Sequence, residues 1–463
     1  MSPILPDSIQ HDQLKSRVSL FFKQAKIGTF LHQSTIRKEK GLSALILIQF
    51  IFSLVLQGKN LYRTLESGRF PDAPEKDAVY DLLKRTTYNW RKLLSLVSAH
   101  LIETILKPLT SEDRDRVLIL DDSTYDRNRS KSVELLTRVF DHTTGKYIKG
   151  FRMLTLGWSD GATFLPLAFS LLSSKKESSR LQGINPVIDK RTVGYRRRQE
   201  AIEKGTETMF TLLDTIDPRK LGVKTLLFDS WFAYPSILKR VVTNYSLHVV
   251  CMIKRSPKVH YTYEGEKYTL NQLYKMLRKK RGRAKVLASV IVGIGFNENA
   301  EEVQARIIFV RDRNRSKEWL SLLTTNLEHS EEDAIRIYGK RWAIECFFKV
   351  AKSHLRLAKE FQCRSYDSMT AHTTIVFLRY MILAMSSRES EDDRTIGNLF
   401  YLCCDEVEDL RFAEVLLIFM ELLGTMLTED EILADDQVGP FLDKFFNKLP
   451  KFLREPLLLS NAT

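Results

Sequence analysis

The 463-residue sequence predicts a mixed α/β protein, and three observations support this prediction. Apolar residues recur at helical spacing up to about residue 110. Short apolar runs separated by turn residues follow from residue 116 onward, in the order strand, strand, strand, helix, strand. Residues 331–357 then return to helical spacing. The order of these segments predicts a sheet core flanked by helices.

The charge of the chain is basic and unevenly distributed. The net charge is +14, but residues 388–463 contain 17 acidic and 7 basic side chains, a net of −10, so the preceding residues carry +24. A strongly basic protein often binds a polyanion, most commonly a nucleic acid. The alternative explanation of the net charge is a basic surface that binds no polyanion. The concentration of cations before residue 388, where the motifs lie, favours nucleic-acid binding.

The cysteines and the N-terminus predict a cytoplasmic protein. The five cysteines include no C-x-x-C pair, and their odd number argues against a disulfide framework and a zinc site. The first residues show no cationic segment followed by an apolar run, as a signal peptide would. The most apolar stretch, 44–56, is too short to span a bilayer and is better explained as a buried helix.

Residues 1–110 are predicted to form a helical DNA-binding domain. Within 67–97, a turn rich in Pro, Asp and Gly precedes helical segments that carry several Lys and Arg residues. This pattern is typical of a helix-turn-helix. It also fits a small helical bundle with a basic face, so both interpretations stay open.

Two predicted strands end in aspartate. VLIL precedes Asp121 and Asp122, and TLLF precedes Asp229. A carboxylate at the end of a buried strand is costly unless an ion pair, a helix N-terminus or a metal ion compensates it. For either strand alone, the structural explanations are common.

A third acid lies on the segment 331–357, which is predicted to be one long helix beginning after Ser330 as N-cap. On a continuous helix, the side chains of Tyr338, Arg341, Glu345 and Lys352 would share a stripe about 60° wide. An intrahelical ion pair explains Arg341 and Glu345, but Lys352 lies too far along the helix to join it. A site in which the cations bind phosphate and the carboxylate binds a metal ion would give all four side chains a role.

The three carboxylates suit a pair of magnesium ions about 4 Å apart, which activate an attacking oxygen and stabilise a leaving oxygen at phosphorus. Hard oxygen ligands favour Mg²⁺ or Mn²⁺ over Zn²⁺.

The segment YGKRWAIECFFKVAK matches the pattern Y-x2-R-x3-E-x6-K without a gap. It resembles the YREK signature of bacterial insertion-sequence transposases of the IS-four family, a branch of the DDE transposases. LDDST resembles the first aspartate box of that family and LLFDSWF the second. The resemblance covers most of residues 40–385.

The resemblance implies a ribonuclease H-like core with an inserted β-rich subdomain. Together with the strand and helix pattern, it divides the rest of the chain into four parts: core, 111–250; β-rich insertion, 251–318; core with the YREK helix, 319–387; and an acidic helical C-terminal region that is a candidate for dimerisation, 388–463.

The resemblance also implies the site residues. The catalytic, metal-binding acids would be Asp122, Asp229 and Glu345, holding two Mg²⁺ or Mn²⁺ ions. Asp122 is preferred because the family pattern is an acid followed by Ser or Thr, and Asp121 is the alternative.

Four further residues would contact DNA: Tyr338, Arg341, Lys352 and Trp319. The first three would bind phosphates near the cut. Trp319 resembles a tryptophan that stabilises a flipped base, although an ordinary core tryptophan fits the sequence at least as well.

The implied activity is cut-and-paste transposition of an insertion sequence in the bacterial cytoplasm, close to the nucleoid. Water would nick the transposon end, the freed 3′-hydroxyl would form a hairpin, and the reopened end would join target DNA. The implied partners are double-stranded DNA, as terminal inverted repeats and target, and a second copy of the chain in a homodimer. The basic segments 175–198 and 275–285 are predicted to contact the DNA backbone.

Three alternatives stay open. The chain could be a DNA-binding protein derived from a transposase without catalytic activity, or a structure-specific nuclease on the same core. A hydrolase of small phosphates is a third, but it leaves the basic segments unexplained.

Overall fold

The computed structural model describes residues 17–58, 60–66, 73–141, 144–280, 284–312 and 318–389, together with residue 404, parts of 419–427, and 435–449. Most of the predicted acidic region 388–463 therefore lies outside the described residues, apart from short pieces and the helix Asp435–Lys448. Its proposed role in dimerisation stays a prediction. No helix in the described ranges has both the length and the apolar character needed to cross a bilayer.

Among the described residues, six α-helices precede the first strand: α1 (Arg17–Gln24), α2 (Ile27–Gln33), α3 (Ala44–Leu54), α4 (Leu61–Glu66), α5 (Lys76–Lys84) and α6 (Trp90–Leu101). A π-helical turn, Ile102–Leu106, continues α6. Polar caps define two of the starts, because Ser43 accepts a hydrogen bond from the Ile46 N–H and Asn89 accepts one from the Lys92 N–H. The helical periodicity of the sequence thus corresponds to real helices in this part of the chain.

The centre of the molecule is a mixed sheet. Its strands among the described residues are β1 (Val117–Asp126), β2 (Thr137–Asp141), β3 (Lys146–Ser159), β4 (Phe164–Leu172), β5 (Thr225–Phe228), β6 (His248–Met252), β7 (His260–Tyr263), β8 (Glu266–Thr269), β9 (Val286–Phe296), β10 (Glu302–Arg311) and β11 (Trp319–Thr324). They are ordered β2-β3-β1-β5-β6-β11-β10-β9-β7-β8, and β4 pairs with β3. This architecture is consistent with a ribonuclease H-like fold.

Strand direction determines where the acids lie. β1 runs antiparallel to β3 but parallel to β5, and β5 runs parallel to β6. Leu120 is in register with Phe228. Asp121 within β1 and Asp229 directly after β5 therefore lie at the same level of neighbouring strands. The central strands are apolar on both faces because helices cover both sides.

Between β4 and residue 389, the described residues form the further α-helices α7 (Val193–Ala201), α8 (Gly205–Leu213), α9 (Pro235–Tyr245), α10 (Leu270–Met276), α11 (Glu331–Gly339), α12 (Trp342–Ser353) and α13 (Tyr366–Glu389). α12 packs on β1 and β4, while α13 contacts α3, α5, α6, α12 and β4. α13 therefore joins several of the N-terminal helices to the core.

The region 251–318 differs from its prediction. It does form strands, but β11 pairs with β6 through Leu322 and Met252, and β10 and β9 follow in the same sheet. In the described part of the chain these strands extend the central sheet, and a separate inserted subdomain is not seen. The strands alternate in a way that sequence pattern detects, but pattern does not reveal which edge they join.

The predicted single helix over 331–357 is also wrong, because α11 and α12 are separate. Between them, Lys340 and Arg341 donate backbone hydrogen bonds three residues back, to Ile337 and Tyr338, each at 3.0 Å. This is the tighter 3₁₀ pattern, and it follows Gly339, a residue of low helix propensity. The turn changes the relative direction of the side chains before and after it.

The second helix of the predicted helix-turn-helix, α6, is built into the core. Ser95 and Ser98 donate hydrogen bonds to the carbonyls of Leu167 and Pro166 in β4, at 3.0 and 2.7 Å. The apolar face of α6 is fully buried. α6 therefore packs as part of a helical layer on the sheet, which is the bundle alternative, and its buried face is closed to DNA.

A buried ionic cluster joins α13 to the N-terminal helices. Arg379 donates hydrogen bonds to Glu360 at 2.6 Å and to the carbonyls of Phe52, at 3.0 Å, and Ile51. His372 lies 2.8 Å from the same Glu360 carboxylate. Burial alone would raise the pKa of Glu360, but Arg379 and His372 outweigh it and lower the pKa to about 2. The carboxylate is therefore charged in the folded protein.

We predict that Glu360→Gln lowers the free energy of unfolding at pH 7 by about 3 kcal/mol, because it leaves the Arg379 charge buried without its partner. Since the folded pKa of Glu360 lies below its unfolded value, this contribution is present above about pH 5 and is lost as the pH falls towards 2. Denaturant unfolding of both proteins at pH 7 and pH 3 measures this, and the difference should shrink at pH 3.

Asp81→Asn is the matched control, since Asp81 pairs with Lys84 on the exposed side of α5. It should cost less than about 1 kcal/mol. Equal effects of the two substitutions would contradict a structural role for the Glu360 cluster.

Candidate active site

Asp121 and Asp122 point to opposite faces of β1, because successive side chains of a strand alternate. Asp121 lies on the face covered by α12, where Arg341 Nη1 is 2.5 Å from its Oδ2 atom. The other terminal nitrogen of Arg341 donates to Glu345 on α12. One guanidinium group therefore bridges a strand carboxylate and a helix carboxylate.

Burial has the largest effect on Asp121 and raises its pKa to about 7. The positive charge of Arg341 opposes this shift, while the negative charges of Asp122 and Asp229 add to it. Even with the Arg341 guanidinium beside it, Asp121 therefore ionises only around neutral pH, and a further cation at this place would favour its charged form.

Asp229 lies beside the same group of residues. Its Oδ1 atom accepts a hydrogen bond from the Trp231 N–H at 2.8 Å, which fixes the loop after β5. The charge of Asp229 helps to raise the pKa of Asp121 and of Tyr338, so Asp229 lies close enough to both for its charge to act on them. Burial is the main cause for Tyr338, whose pKa rises to about 12. The Arg341 guanidinium lies 5.8 Å from the centre of the Tyr338 ring.

Asp122 takes part in a different contact. On the other face of β1, Arg152 from β3 binds it with two hydrogen bonds, from Nε at 2.5 Å and from Nη2 at 2.7 Å. The predicted first acid is thus neutralised by its own arginine and points away from Glu345. Asp121, the alternative, lies on the face of β1 that carries Arg341 and Glu345.

Lys352 lies on α12 and contacts β1 further along the strand than Asp121. Its ammonium donates to the Ser123 hydroxyl at 2.7 Å and to Thr124 at 3.3 Å. Burial is the main cause of its lowered pKa. The structure therefore brings Tyr338, Arg341 and Glu345 together at Asp121. The contact of Lys352 with β1 is at Ser123, two residues beyond Asp121.

Trp319 does not present an open ring. Tyr274 stacks on it with centroids 4.5 Å apart, and the Arg255 guanidinium lies 3.9 Å from its centroid. Only 9% of the residue is exposed. Contact with a flipped base would require Tyr274 or Arg255 to leave the ring, and the packed tryptophan considered in the sequence analysis matches this arrangement.

The basic segment 175–198 is only partly at the surface. Lys175, Lys176 and Arg191 are exposed. Arg198 is buried, and it binds Glu134 and Asp367 at 2.6 Å each. The end of this segment, where Arg197 is also buried, is therefore structural.

The second basic segment, 275–285, is described only in part. Lys275, Arg278 and Lys280 are exposed in it. Residues 281–283, the basic run RGR, lie outside the described ranges, so their predicted contact with DNA stays a prediction.

Arg152 and Trp231 are features of the site that sequence reasoning missed. Trp231 is 45% exposed, two residues after Asp229. The only signal in the sequence was the tryptophan within the second aspartate box, LLFDSWF, and a large apolar residue is usually assigned to the core. The pairing of Arg152 with Asp122 depends on the antiparallel register of β1 and β3, in which Asp122 is paired with Leu154.

One comparison with known proteins identifies the family of the chain. A family model described as DDE superfamily endonuclease matches residues 54–290, about half of the chain. The chain therefore belongs to the DDE superfamily endonucleases, which indicates a transposase-type nuclease. The match includes Asp121, Asp122 and Asp229 but ends before Glu345, so the YREK-like segment is outside it. Comparison with curated proteins found no match.

Nucleases of the DDE type generally use divalent metal ions. Among the described residues, no three His, Cys, Asp or Glu side chains stand ready as a metal cluster. Asp121 and Glu345 nevertheless converge on one cationic group, the Arg341 guanidinium. Their oxygen atoms are the ligands that Mg²⁺ and Mn²⁺ prefer. The residues present therefore fit a divalent cation if Arg341 moves aside.

We predict that Trp319→Ala lowers the free energy of unfolding by about 3 kcal/mol, because it removes a ring packed between Tyr274 and Phe309. Denaturant unfolding measures the change. Trp342→Ala is the control, since Trp342 is 64% exposed and its loss should cost less than about 1 kcal/mol. Equal stabilities of the two variants would contradict the packed position of Trp319.

Proposed function

We propose that this protein is a DNA transposase that cuts and joins DNA strands at a site formed by Asp121, Asp229 and Glu345. The observation that carries the proposal is the Arg341 guanidinium, which links Asp121 to Glu345 beside Asp229 in a chain of the DDE superfamily. This proposal replaces Asp122 by Asp121 as first acid. The geometry on the two faces of β1 is the reason.

The three acids would hold Mg²⁺ or Mn²⁺, with two ions as the expected number. A bound pair would activate the attacking oxygen and stabilise the leaving oxygen at phosphorus. The carboxylates themselves would contribute oxygen ligands from β1, from the position directly after β5 and from α12.

Arg341 has a second role in this proposal. Its planar guanidinium matches a phosphate as well as it matches a carboxylate, with two parallel hydrogen bonds. When a DNA phosphate enters, Arg341 can exchange its carboxylate partners for the phosphate, which frees Asp121 and Glu345. Tyr338 lies against Arg341 and limits its movement, while Lys352 would bind a phosphate further along the strand.

The finer proposal is cut-and-paste transposition of an insertion sequence. Each of its steps is an in-line displacement at phosphorus, so one site can nick the transposon end, form a hairpin there and join the end to target DNA. The partners would be double-stranded DNA with terminal inverted repeats and a second copy of the chain. The resemblance of the YREK-like segment supports this form of the activity.

The main alternative is a DNA-binding protein that descends from a transposase and does not cut. It predicts equal DNA binding and no cleavage by the wild type and by acid variants. The contact of both Asp121 and Glu345 with the Arg341 guanidinium supports the enzyme.

We predict that Asp121→Asn reduces magnesium-dependent cleavage of a DNA duplex more than 100-fold, because a neutral amide is a poor metal ligand. Asp122→Asn should reduce it less than tenfold, because Asp122 acts only through Arg152. A plasmid-nicking assay measures both rates, with a gel-shift assay to show that DNA binding persists. The opposite order of the two variants would return Asp122 to the first position.

We predict that Arg341→Gln raises the affinity of the DNA-free protein for Mn²⁺ at least threefold, because a guanidinium no longer competes for Asp121 and Glu345. Calorimetric titration with Mn²⁺ measures the affinity without any reaction. Arg336→Gln is the matched control, since Arg336 lies on α11 but binds Asp115 and Asp333. Identical affinities of the wild type and Arg341→Gln would show that Arg341 does not block the metal site.

A further inference from the structure

A cavity lies between α6, α7 and the segment that follows α8. Its volume is about 700 Å³. Small-molecule sites in proteins typically have volumes of about 300–1,000 Å³. Asp121, Asp229 and Glu345 are not among the residues that line this cavity. A ligand of the cavity would therefore be independent of the proposed function.

The inner wall of the cavity is apolar. It is formed by side chains of α6, β4, α7 and the segment after α8: Leu96, Ala99, Leu167, Val193, Ile216 and Leu221. Leu167 and Leu221 are buried, whereas the other four are only half-buried. An apolar ligand that covered these half-buried side chains would remove their remaining apolar surface from water, which is favourable.

The charged side chains around the cavity are unevenly placed. The end formed by the start of α6 and by α7 has four cations and one carboxylate: Arg91, Lys92, Arg196, Arg197 and Glu200. With the Asp367 carboxylate, which lies near Arg197 outside the lining, the net charge of this end is +2. The opposite end has Glu103, Asp217 and Lys220, a net charge of −1. An anion would therefore be attracted to the first end and repelled from the second.

Arg197 is the buried cation at the basic end. It is 5% exposed, and its Nη2 atom donates a hydrogen bond to the Tyr88 carbonyl at 2.7 Å. Its Nη1 atom makes no hydrogen bond within the described part of the chain, and Asp367 Oδ1 is 3.7 Å from it. Burial lowers the pKa of Arg197 to about 10, although Asp367 and Glu200 oppose this shift. The charge of Arg197 is therefore only partly compensated.

An anionic head group in the cavity would complete this compensation. A movement of Nη1 towards the cavity breaks no hydrogen bond of that atom, and the guanidinium then binds the head group by a charge-assisted hydrogen bond. Lys92 and Arg196 are exposed at the same end and add two further positive charges. The distance along the helix from Lys92 to Glu103 is about 16 Å, so the cavity suits an elongated molecule.

We propose that this cavity binds a small organic anion with an apolar body. Its head group would lie at Arg197, between Lys92 and Arg196, and its apolar part would cover Leu96 and Ala99 in the direction of Glu103. Such a ligand would connect α6 to α7 and to the segment after α8.

Calorimetric titration of the full chain near pH 7, without DNA, tests this site. The probes are octanoate, octanol, octylammonium and inorganic phosphate, which separate the contribution of the negative charge from that of the apolar body. The wild type should bind one octanoate at least tenfold more tightly than each of the other probes, a difference of about 1.4 kcal/mol.

Two substitutions address the two parts of the ligand. Arg197→Gln should lower the affinity for octanoate about tenfold and leave that for octanol unchanged, because it alters only the contact with the head group. Ala99→Phe fills the apolar part of the cavity and should weaken the binding of both probes at least tenfold.

Arg191→Gln is the matched control for Arg197→Gln, because Arg191 is exposed, pairs with Asp189 and does not line the cavity. It should leave octanoate binding unchanged. Arg196→Gln gives a second test of the head group at an exposed position, where folding is not at risk, and should lower the affinity about threefold. Thermal melting checks that Arg197→Gln and Ala99→Phe are folded.

The site would be overturned by the absence of octanoate binding, by equal binding of octanol or octylammonium, or by octanoate binding that Ala99→Phe leaves unchanged. Phosphate that binds as tightly as octanoate would also overturn it, because the cations alone would then hold the anion, as they would hold a DNA backbone. None of these results involves cleavage. Failure of the proposed function would appear separately, as magnesium-dependent cleavage that survives Asp121→Asn.

Discussion

The contact on which the site depends is the pair of hydrogen bonds from Arg341 to Asp121 and Glu345. It joins the central strand β1 to helix α12 at the point where the acids converge. Asp121 and Glu345 would repel each other without a cation between them, and burial makes that repulsion stronger. The positions of β1 and α12 are therefore linked to whichever cation occupies this place. In this structure, that cation is the Arg341 guanidinium.

The sheet provides the rest of the geometry. Because β1 and β5 run parallel and in register, Asp121 and Asp229 lie side by side, and the alternation of β1 directs Asp122 to the other face. Two consecutive aspartates thus have different partners, Arg341 for one and Arg152 for the other. One face holds the proposed chemistry, and the other supports the ring of Trp231.

Local pattern was sufficient for much of this structure. The N-terminal helices, the apolar segments that precede Asp121 and Asp229, and the strands between 251 and 318 all follow from the spacing of apolar residues, although β1 continues past both of its first aspartates to Asp126. The choice between Asp121 and Asp122 did not follow, because it depends on which face of β1 the helix α12 covers. The buried ion pairs of Arg198 were hidden for the same reason, since Glu134 and Asp367 are distant in sequence.

The strands between β6 and the outer edge of the sheet have a mechanical consequence. β11, β10 and β9 are hydrogen-bonded in succession to β6, so no hinge separates them from the strand that ends at Asp229. Adjacent strands are about 4.8 Å apart, so β9 stands roughly 20 Å from β5. A DNA duplex bound at that edge would lie at a fixed distance from the acids, equivalent to about six base pairs. The sheet would then determine the distance between the bound duplex and the acids, in addition to positioning the acids themselves.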